Sequence, residues 1–143
     1  GLSQSAATTI IQDDNYRLWI GTQDGINRFD GKDIEVFEAS TKKNPGLESQ
    51  YIICSEKTSD GKIWFGTDKD LTVYDPNVER FKAYKHENRS IYVTSISKSN
   101  SSVLWVSTEN YGVLCFDLKS KKFKELQGLK KRKKTHLVKQ INR

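Results

Sequence analysis

Hydrophobic and polar residues alternate along this chain in short runs separated by turn-forming residues. Runs such as "RLWIG", "INRF" and "IEVF" are rich in aromatic and β-branched residues, and Gly, Asn or Asp punctuates the segments between them. Alternation with a period of two predicts half-buried strands, whereas an amphipathic helix would repeat with a period of about 3.6 residues. The pattern therefore predicts an all-β fold joined by tight turns.

The strand pattern occurs three times. The stretch "RLWIGTQDGINRFD" returns as "KIWFGTDKDLTVYD" and again as "VLWVSTENYGVLCFD", and the tryptophans of the three copies are spaced by 45 and 41 residues. An alternating apolar segment precedes each copy and a short strand-like run follows it, so each unit contains four strands, here named a to d. Four-stranded units of about 40–45 residues are typical of propeller blades. We therefore predict a partial β-propeller of about three blades.

The repeat divides the chain into four segments. Val138 and Ile141 have the same phase as Val93 and Ile96, so a further strand is expected at the end of the chain. The predicted segments are blade 1 at 1–45, blade 2 at 46–86, blade 3 at 87–131, and the first strand of an incomplete blade 4 at 132–143. A repeat that is begun but not finished predicts that this chain is a piece of a longer protein.

The first copy resembles the two-component regulator propeller repeat, which is found in the sensor regions of bacterial hybrid two-component systems, notably those of gut Bacteroidetes. The second copy lacks the equivalent of Gly25, and the third has Ser107 in place of the glycine of "WIGT". The resemblance implies a periplasmic sensor region of a receptor anchored in the inner membrane. It also implies recognition of an oligosaccharide and signalling to a histidine kinase outside this chain. A non-catalytic propeller for protein–protein interaction or dimerisation is the alternative.

Residues that recur in every copy are interpreted as structural. An active site is needed once, whereas a repeated residue serves every blade. The tryptophans are expected to fill the space between blades, and the aspartates that follow an aromatic residue are expected to form Asx-type turns. These structural residues are Trp19, Trp64, Trp105, Asp30, Asp75 and Asp117.

Non-repeated loop residues are the candidates for ligand binding. Because strand direction alternates within a blade, the b–c turns and the connectors between blades emerge at the same end. The second b–c turn has no glycine and the third is enlarged. Ordinary solvated loops are the alternative interpretation. The candidates are Asp24, Lys69, Asp70, Asn110, Tyr111, Lys42, Lys43 and Arg132.

The net charge of +6 fits either ordinary solubility or an anionic partner, and the basic connectors make an acidic oligosaccharide attractive. The run "KKRKK" at 130–134 is accompanied by no recognition helix or aromatic-rich basic sheet, so nucleic acid is not expected. No apolar run approaches the ~18 residues of a membrane span, so no membrane contact is expected within this chain.

Catalytic, metal and cofactor motifs are not recognisable in the sequence, so no enzyme activity and no cofactor are expected. Cys54 and Cys115 lack metal-ligand spacing, and free thiols are favoured over a disulfide. His86 and His136 are interpreted as surface or loop residues.

A row of three blades leaves an apolar face open at each end. Uncovered faces of this kind promote association. We therefore expect a homo-oligomer, formed through the open blade faces or through exchange of a strand at 136–142.

Overall fold

The computed structural model describes residues 1–40, 42–100 and 102–126, and these form twelve β-strands and no helix. The strands make three four-stranded antiparallel sheets, which confirms the all-β prediction of three blades. The strand predicted within 132–143 lies outside the described residues. The strands are β1 (Ala7–Gln12), β2 (Leu18–Thr22), β3 (Gly25–Phe29), β4 (Ile34–Phe37), β5 (Ile52–Lys57), β6 (Ile63–Thr67), β7 (Leu71–Asp75), β8 (Arg80–Tyr84), β9 (Val93–Lys98), β10 (Val103–Thr108), β11 (Val113–Asp117) and β12 (Lys122–Glu125).

Each sheet is a simple meander whose strands pair in chain order. β5 lies between β1 and β9, so the first strand of each blade contacts the first strand of the next. The register between the first and second strand shifts once in every blade. The three sheets therefore stand side by side as consecutive blades, with their first strands adjacent.

Two separate hydrophobic cores hold the blades together, and each is assembled from two neighbouring blades. Trp19 of blade 1 is fully buried against blade 2, with its ring centroid 4.5 Å from that of Tyr74. Trp64 of blade 2 is fully buried against blade 3, with its centroid 5.3 Å from that of Phe116. The first core contains Trp19, Ile26, Phe37, Leu47, Ile52, Ile63, Phe65, Tyr74 and Phe81, and the second contains Trp64, Leu71, Val73, Ile91, Val93, Leu104, Val106, Leu114 and Phe116.

Trp105 differs from the other two repeated tryptophans in its burial. It is only half-buried, whereas its strand neighbours Leu104 and Val106 are fully buried against blade 2. Alternate residues of β10 point to opposite faces, so Trp105 points away from blade 2. No described sheet packs on that side of blade 3, which explains its partial exposure.

A glycine stands two residues after the tryptophan in blades 1 and 2, because the next blade packs too closely to leave room for a side chain. A Cβ at Gly21 would lie 2.5 Å from Cγ2 of Ile52, and a Cβ at Gly66 would lie 2.4 Å from Cγ1 of Val93. Contacts this short force a neighbouring atom to move. Ser107 occupies the same position in blade 3, on the face that no described blade covers.

Candidate ligand-binding face at the loop end of the blades

The b–c turns and the connectors between blades come together at one end of the structure, as the alternation of strand direction requires. In blade 3 the backbone N–H of Glu109 in the turn donates to the carbonyl of Tyr92 in the connector at 2.9 Å. In blade 1 the N–H of Ser3 donates to Oδ1 of Asn27 at 2.8 Å. We call this end the loop face, made up of the turns 22–25, 67–70 and 108–112 and the connectors 1–6, 38–51 and 85–92.

A threonine organises each b–c turn. Its Oγ1 accepts a backbone N–H from within the turn: that of Asp24 at 3.0 Å on Thr22, that of Lys69 at 3.1 Å on Thr67, and that of Tyr111 at 2.9 Å on Thr108. Side-chain oxygens that accept backbone N–H groups in this way stabilise tight turns. Sequence reasoning missed these threonines, although one stands three residues after the tryptophan in every copy.

Three of the five candidate residues in the b–c turns are exposed. Asp24 accepts a hydrogen bond from Nε2 of Gln4 at 3.0 Å, and Lys69 is a solvated turn residue. Asn110 is held in place by its amide, which accepts from the N–H of Tyr92 at 3.1 Å and donates to the carbonyl of Ser90 at 3.0 Å. The amide therefore links the enlarged turn to the connector of its own blade.

Asp70 lies inside the structure rather than at the tip of its turn. It is fully buried, and its Oδ1 accepts from the hydroxyls of Thr67 at 2.8 Å and Thr72 at 2.6 Å. Its Oδ2 has no hydrogen-bond partner among the described residues. Burial raises the pKa of this carboxyl, opposed by the two threonine hydrogen bonds. The side chain of Asp70 therefore points inward, and its role as a ligand contact stays a prediction.

Tyr111 packs against His86, which was expected to be a surface or loop residue. His86 does belong to a connector, but it is only 7% exposed. Its ring centroid lies 5.3 Å from that of Tyr111 and 6.1 Å from that of Phe123, both edge to face, and its Nε2 is 3.6 Å from Oε1 of Glu125. The large aromatic residue of the enlarged turn therefore covers the histidine, and Tyr111 is itself half-buried.

The loop face is not uniformly basic in the part of the chain that the structure describes. Lys42 and Lys43 are exposed in the first connector, where their backbone N–H groups donate to Oγ of Ser40. Arg132, with the rest of the basic run, lies outside the described residues. Carboxylates stand among the lysines of this face, and Lys85 pairs with Glu48 at 2.9 Å.

Two tyrosines meet on the loop face at the start of the first strands of neighbouring blades. Tyr51 and Tyr92 are each half-buried. Desolvation is the largest cause that raises the pKa of the Tyr92 phenol, and interactions with Tyr51, Glu109 and Asp68 raise it further. Asp68 is held by the hydroxyl of Ser49 at 2.6 Å. We call Tyr51, Tyr92, Asp68 and Glu109 the tyrosine cluster.

Sequence reasoning missed the tyrosine cluster, but a signal for it exists. Tyr51 and Tyr92 both stand thirteen residues before the tryptophan of their copy, at the position that Ala6 has in the first copy. The repeat therefore places them at equivalent points of adjacent blades.

The repeated aspartates lie in the c–d turns at the end opposite the loop face. Asp30 accepts backbone N–H groups from Lys32 at 2.9 Å and Asp33 at 2.8 Å, and Asp75 accepts from Asn77 at 2.9 Å. Asp117 accepts from Lys119 at 2.8 Å and Ser120 at 2.9 Å. These bonds are Asx turns. The same hydrogen bonds lower the pKa of Asp30 and of Asp117.

The described residues offer little for metal or thiol chemistry. None of their His, Cys, Asp and Glu side chains form a group of three or more that could hold a metal ion. Cys54 and Cys115 are both free thiols, and burial raises the pKa of Cys54 to about 11, which suppresses its thiolate. No helix with the length and apolarity needed to cross a bilayer occurs among the described residues.

Known proteins similar to this chain include a histidine kinase and an extracellular domain of a hybrid two-component system. Histidine kinase P4 of Formosa agariphila is 38% identical over 47 residues, which cover 33% of this chain and 3% of the kinase. The extracellular domain of a hybrid two-component system from B. thetaiotaomicron is 25% identical with a TM-score of 0.80, over 88% of this chain and 19% of that one. This chain therefore spans a small part of the length of both proteins.

The fold also occurs in an enzyme. Virginiamycin B lyase from Staphylococcus aureus superposes with a TM-score of 0.66 at 17% identity, over 87% of this chain and 42% of the lyase. A likeness at that level shows the fold alone. The repeats themselves are more specific, because residues 1–24 and 46–69 match the two-component regulator propeller family. Residues 1–24 of blade 1 and 46–69 of blade 2 are therefore similar to two-component regulator propeller repeats.

Proposed function

We propose that this chain is part of the extracytoplasmic, ligand-sensing propeller of a hybrid two-component receptor. The observation that carries the proposal is the match of residues 1–24 and 46–69, in two successive blades, to two-component regulator propeller repeats. The extracellular location of the similar B. thetaiotaomicron domain supports a periplasmic site. The receptor would relay binding to a histidine kinase outside this chain, and the contribution of the chain itself would be recognition rather than catalysis.

We place an oligosaccharide at the tyrosine cluster. Tyrosine rings offer flat apolar surface together with a hydroxyl, and carboxylates accept hydrogen bonds from hydroxyl groups. Tyr51 and Tyr92 supply the rings, while Asp68 and Glu109 supply the acceptors. This combination suits a sugar, which presents an apolar ring face and a rim of hydroxyls.

The negative charge of the tyrosine cluster limits which kind of sugar unit can bind beside it. The sequence favours an acidic oligosaccharide because of the basic connectors. The carboxylates of Asp68 and Glu109 disfavour an anionic group beside the two tyrosines, because like charges repel at short range. The sugar unit that contacts the cluster would therefore be neutral, and any acidic unit would lie nearer to Lys42, Lys43 or Lys69.

Calorimetric titration of the chain with a panel of neutral and acidic oligosaccharides tests this proposal. Tyr92→Ala and Tyr51→Ala should each weaken the binding of the best ligand by about tenfold or more, since truncation of a buried aromatic contact commonly costs over 1.4 kcal/mol. Tyr16→Ala is the matched control, because Tyr16 is 82% exposed in the turn between β1 and β2, at the opposite end.

Failure of every oligosaccharide to bind would refute the ligand class, and equal binding by the two tyrosine variants and the wild type would refute the site. The alternative function is a scaffold that binds other protein surfaces. The half-buried Trp105 on the open face of blade 3 favours this alternative. A scaffold would associate through that face without any response to sugars.

A further inference from the structure

A groove of about 250 Å³ opens at the junction of blades 2 and 3, outside the loop face. Its floor is apolar, and four of its ten lining residues are lysine or arginine. The lining residues include Lys62, Trp64, Val73, Lys82, Tyr84 and Lys121. The volume is slightly below the range of about 300–1,000 Å³ of most ligand pockets, so the groove suits a small molecule.

The same position between blades 1 and 2 is filled by an ion pair of the chain itself. Cζ of Arg28 lies 5.3 Å from the ring centroid of Trp19 and 5.2 Å from that of Phe37. Nη2 of Arg28 pairs with Oε2 of Glu35 at 2.6 Å, across β3 and β4. A guanidinium therefore lies against the tryptophan at this junction, with its charge balanced by a carboxylate.

Blade 2 has lost both members of that pair. The positions equivalent to Arg28 and Glu35 are Val73 and Lys82, which face each other across β7 and β8. Valine is too short to cover the tryptophan side of the junction, and lysine reverses the charge of the glutamate. The exchange opens the groove and leaves its rim positive.

The cations around the groove are crowded. The ammonium of Lys121 lies 5.9 Å from the ring centroid of Trp64 and donates to the carbonyl of Leu118. Desolvation lowers its pKa, and the charges of Lys62 and Lys82 lower it further. The carboxylates that face Lys121, those of Asp60 and Asp117, act in the opposite direction but do not outweigh these effects.

Other charges at the groove do not neutralise its rim. Asp75 contributes a carboxylate to the lining and Arg80 a further cation. The nearest carboxylate to the ammonium of Lys62 is Oδ2 of Asp60, at 3.8 Å, which is a long ion pair. Lys82 extends over the ring of Tyr84, with Nζ 5.3 Å from its centroid.

We propose that this groove is a binding site for a small anionic ligand, a carboxylate or sulfate carried on a body no larger than one sugar ring. The anionic group would accept hydrogen bonds from Lys82 and Lys121, and the apolar body would lie on Val73 and Tyr84. Such charge-assisted bonds are stronger than neutral ones. The site is independent of the tyrosine cluster and holds whether or not the loop face binds an oligosaccharide.

The experiment is a titration of the chain with glucuronate, inorganic sulfate and glucose, followed by NMR of the Trp64 indole N–H, which donates to Thr58. Glucuronate is expected to shift this signal at low salt and less at high salt, since screening weakens exposed ion pairs. Sulfate is expected to compete with glucuronate, because it satisfies the same cations. An equal shift with glucose, or no shift with either anion, would overturn the proposal.

Moving the Arg28–Glu35 pair of blade 1 into blade 2 tests whether the loss of this pair opens the groove. The double change Val73→Arg with Lys82→Glu should fill the groove and abolish glucuronate binding, while circular dichroism remains that of the wild type. The reverse double change, Arg28→Val with Glu35→Lys, should open a second groove and double the stoichiometry.

The single change Lys82→Glu at an exposed position keeps the proposal testable if the double variants do not fold. It should weaken binding by about tenfold or more. Lys32→Glu is the control for the same change in net charge at another exposed lysine. Unchanged binding by Lys82→Glu, or an equal loss with Lys32→Glu, contradicts a site in the groove.

Discussion

The indole Nε1 of Trp19 donates a hydrogen bond of 2.8 Å to Oδ2 of Asp13, six residues earlier in the chain. In blade 2, Nε1 of Trp64 donates to Oγ1 of Thr58 at 3.0 Å, again over six residues. A buried indole N–H needs an acceptor, and the a–b turn supplies it in both blades.

Replacement of Asp13 should destabilise the fold. Asp13→Ala leaves the Trp19 N–H without its acceptor in the first core and removes the ion pair with Arg17 at 2.9 Å. We expect a loss of about 2–3 kcal/mol in the free energy of unfolding, measured by urea denaturation. Asp14→Ala is the control, because its exposed pair with Lys57 should contribute less than about 1 kcal/mol.

The effect of Asp13→Ala should depend on pH. Burial raises the pKa of Asp13, but hydrogen bonds from Trp19 and Arg17 outweigh it and hold the pKa below 3.8. An acid with a lowered folded pKa stabilises the fold above its unfolded value and loses that contribution as pH falls through the folded value. The difference between wild type and variant should therefore be full above pH 3.8 and shrink in stronger acid. A difference that stays constant into acid would contradict this role of the carboxylate.

Gly21→Ala should weaken the contact between blades 1 and 2. The new methyl group would lie 2.5 Å from Cγ2 of Ile52 and 2.7 Å from Cγ2 of Thr9. Overpacking of this kind costs about 1–3 kcal/mol, which a lower urea midpoint would report. Gly66→Ala should behave similarly against Val93.

Ser107→Ala is the control for the glycine variants, since Ser107 holds the equivalent position and already carries a Cβ. Its free energy of unfolding, measured by urea denaturation, should lie within about 0.5 kcal/mol of the wild-type value. Equal stability of Gly21→Ala and wild type would show that the blades can separate without cost.

Asp70→Asn should change the pH dependence of stability in the direction opposite to Asp13→Ala. Burial raises the folded pKa of Asp70 above 3.8, so the folded state binds more protons than the unfolded state above that pH. Its contribution is therefore fully present below pH 3.8 and is lost as pH rises through the folded pKa. Relative to wild type, Asp70→Asn should gain stability over that interval, measured as urea midpoints at a series of pH values.

Asp68→Asn removes a carboxylate from the same turn, where the side chain is half-buried and bonded to Ser49. It should not reproduce the gain seen with Asp70→Asn. Parallel pH curves for wild type and Asp70→Asn would mean that the Asp70 carboxylate titrates alike in the folded and unfolded states.

Trp105 should be the tryptophan through which the chain associates with a second copy. In dilute solution acrylamide should quench its fluorescence, while the fully buried Trp19 and Trp64 are protected. At higher concentration the quenching should fall, because a second copy covers the apolar face. Stern–Volmer plots over a range of protein concentrations measure both effects.

Two variants distinguish the solvent exposure of Trp105 from the association of the chain with a second copy. Trp105→Phe should remove the quenched component, and Trp105→Lys should also keep the chain monomeric by light scattering, since it places a charge on the open face. A wild-type chain that scatters as a monomer at every concentration would contradict association.

The fold could be predicted because its evidence is local and periodic. The spacing of the three tryptophans, the turn aspartates and the alternation of each run are visible in the sequence alone. Burial depends on the neighbouring blade as well as on the repeat, so the repeat alone does not distinguish Trp105 from Trp19 and Trp64.

The candidate site was harder to predict, because it depends on contacts between distant residues. Tyr51 and Tyr92 are 41 positions apart and belong to different blades, so only their equivalent positions in the repeat relate them. The Asp70 side chain points inward because it accepts hydrogen bonds from the hydroxyls of Thr67 and Thr72. The position of Asp70 in the b–c turn does not by itself indicate these contacts. Asp24, Lys69 and Asn110 are exposed in their turns, and their role in ligand binding stays a prediction.

The division of each core between two neighbouring blades bears on how such a chain lengthens. A blade with a neighbour on each side, such as blade 2, contributes one half of each of two cores, and each half is complementary to the half on the neighbouring blade. A duplicated blade inserted into the row would therefore find a matching half on both sides, with the terminal faces left as they were. Growth by gene duplication is thus built into the packing, whereas loss of part of a blade would disrupt two cores at once.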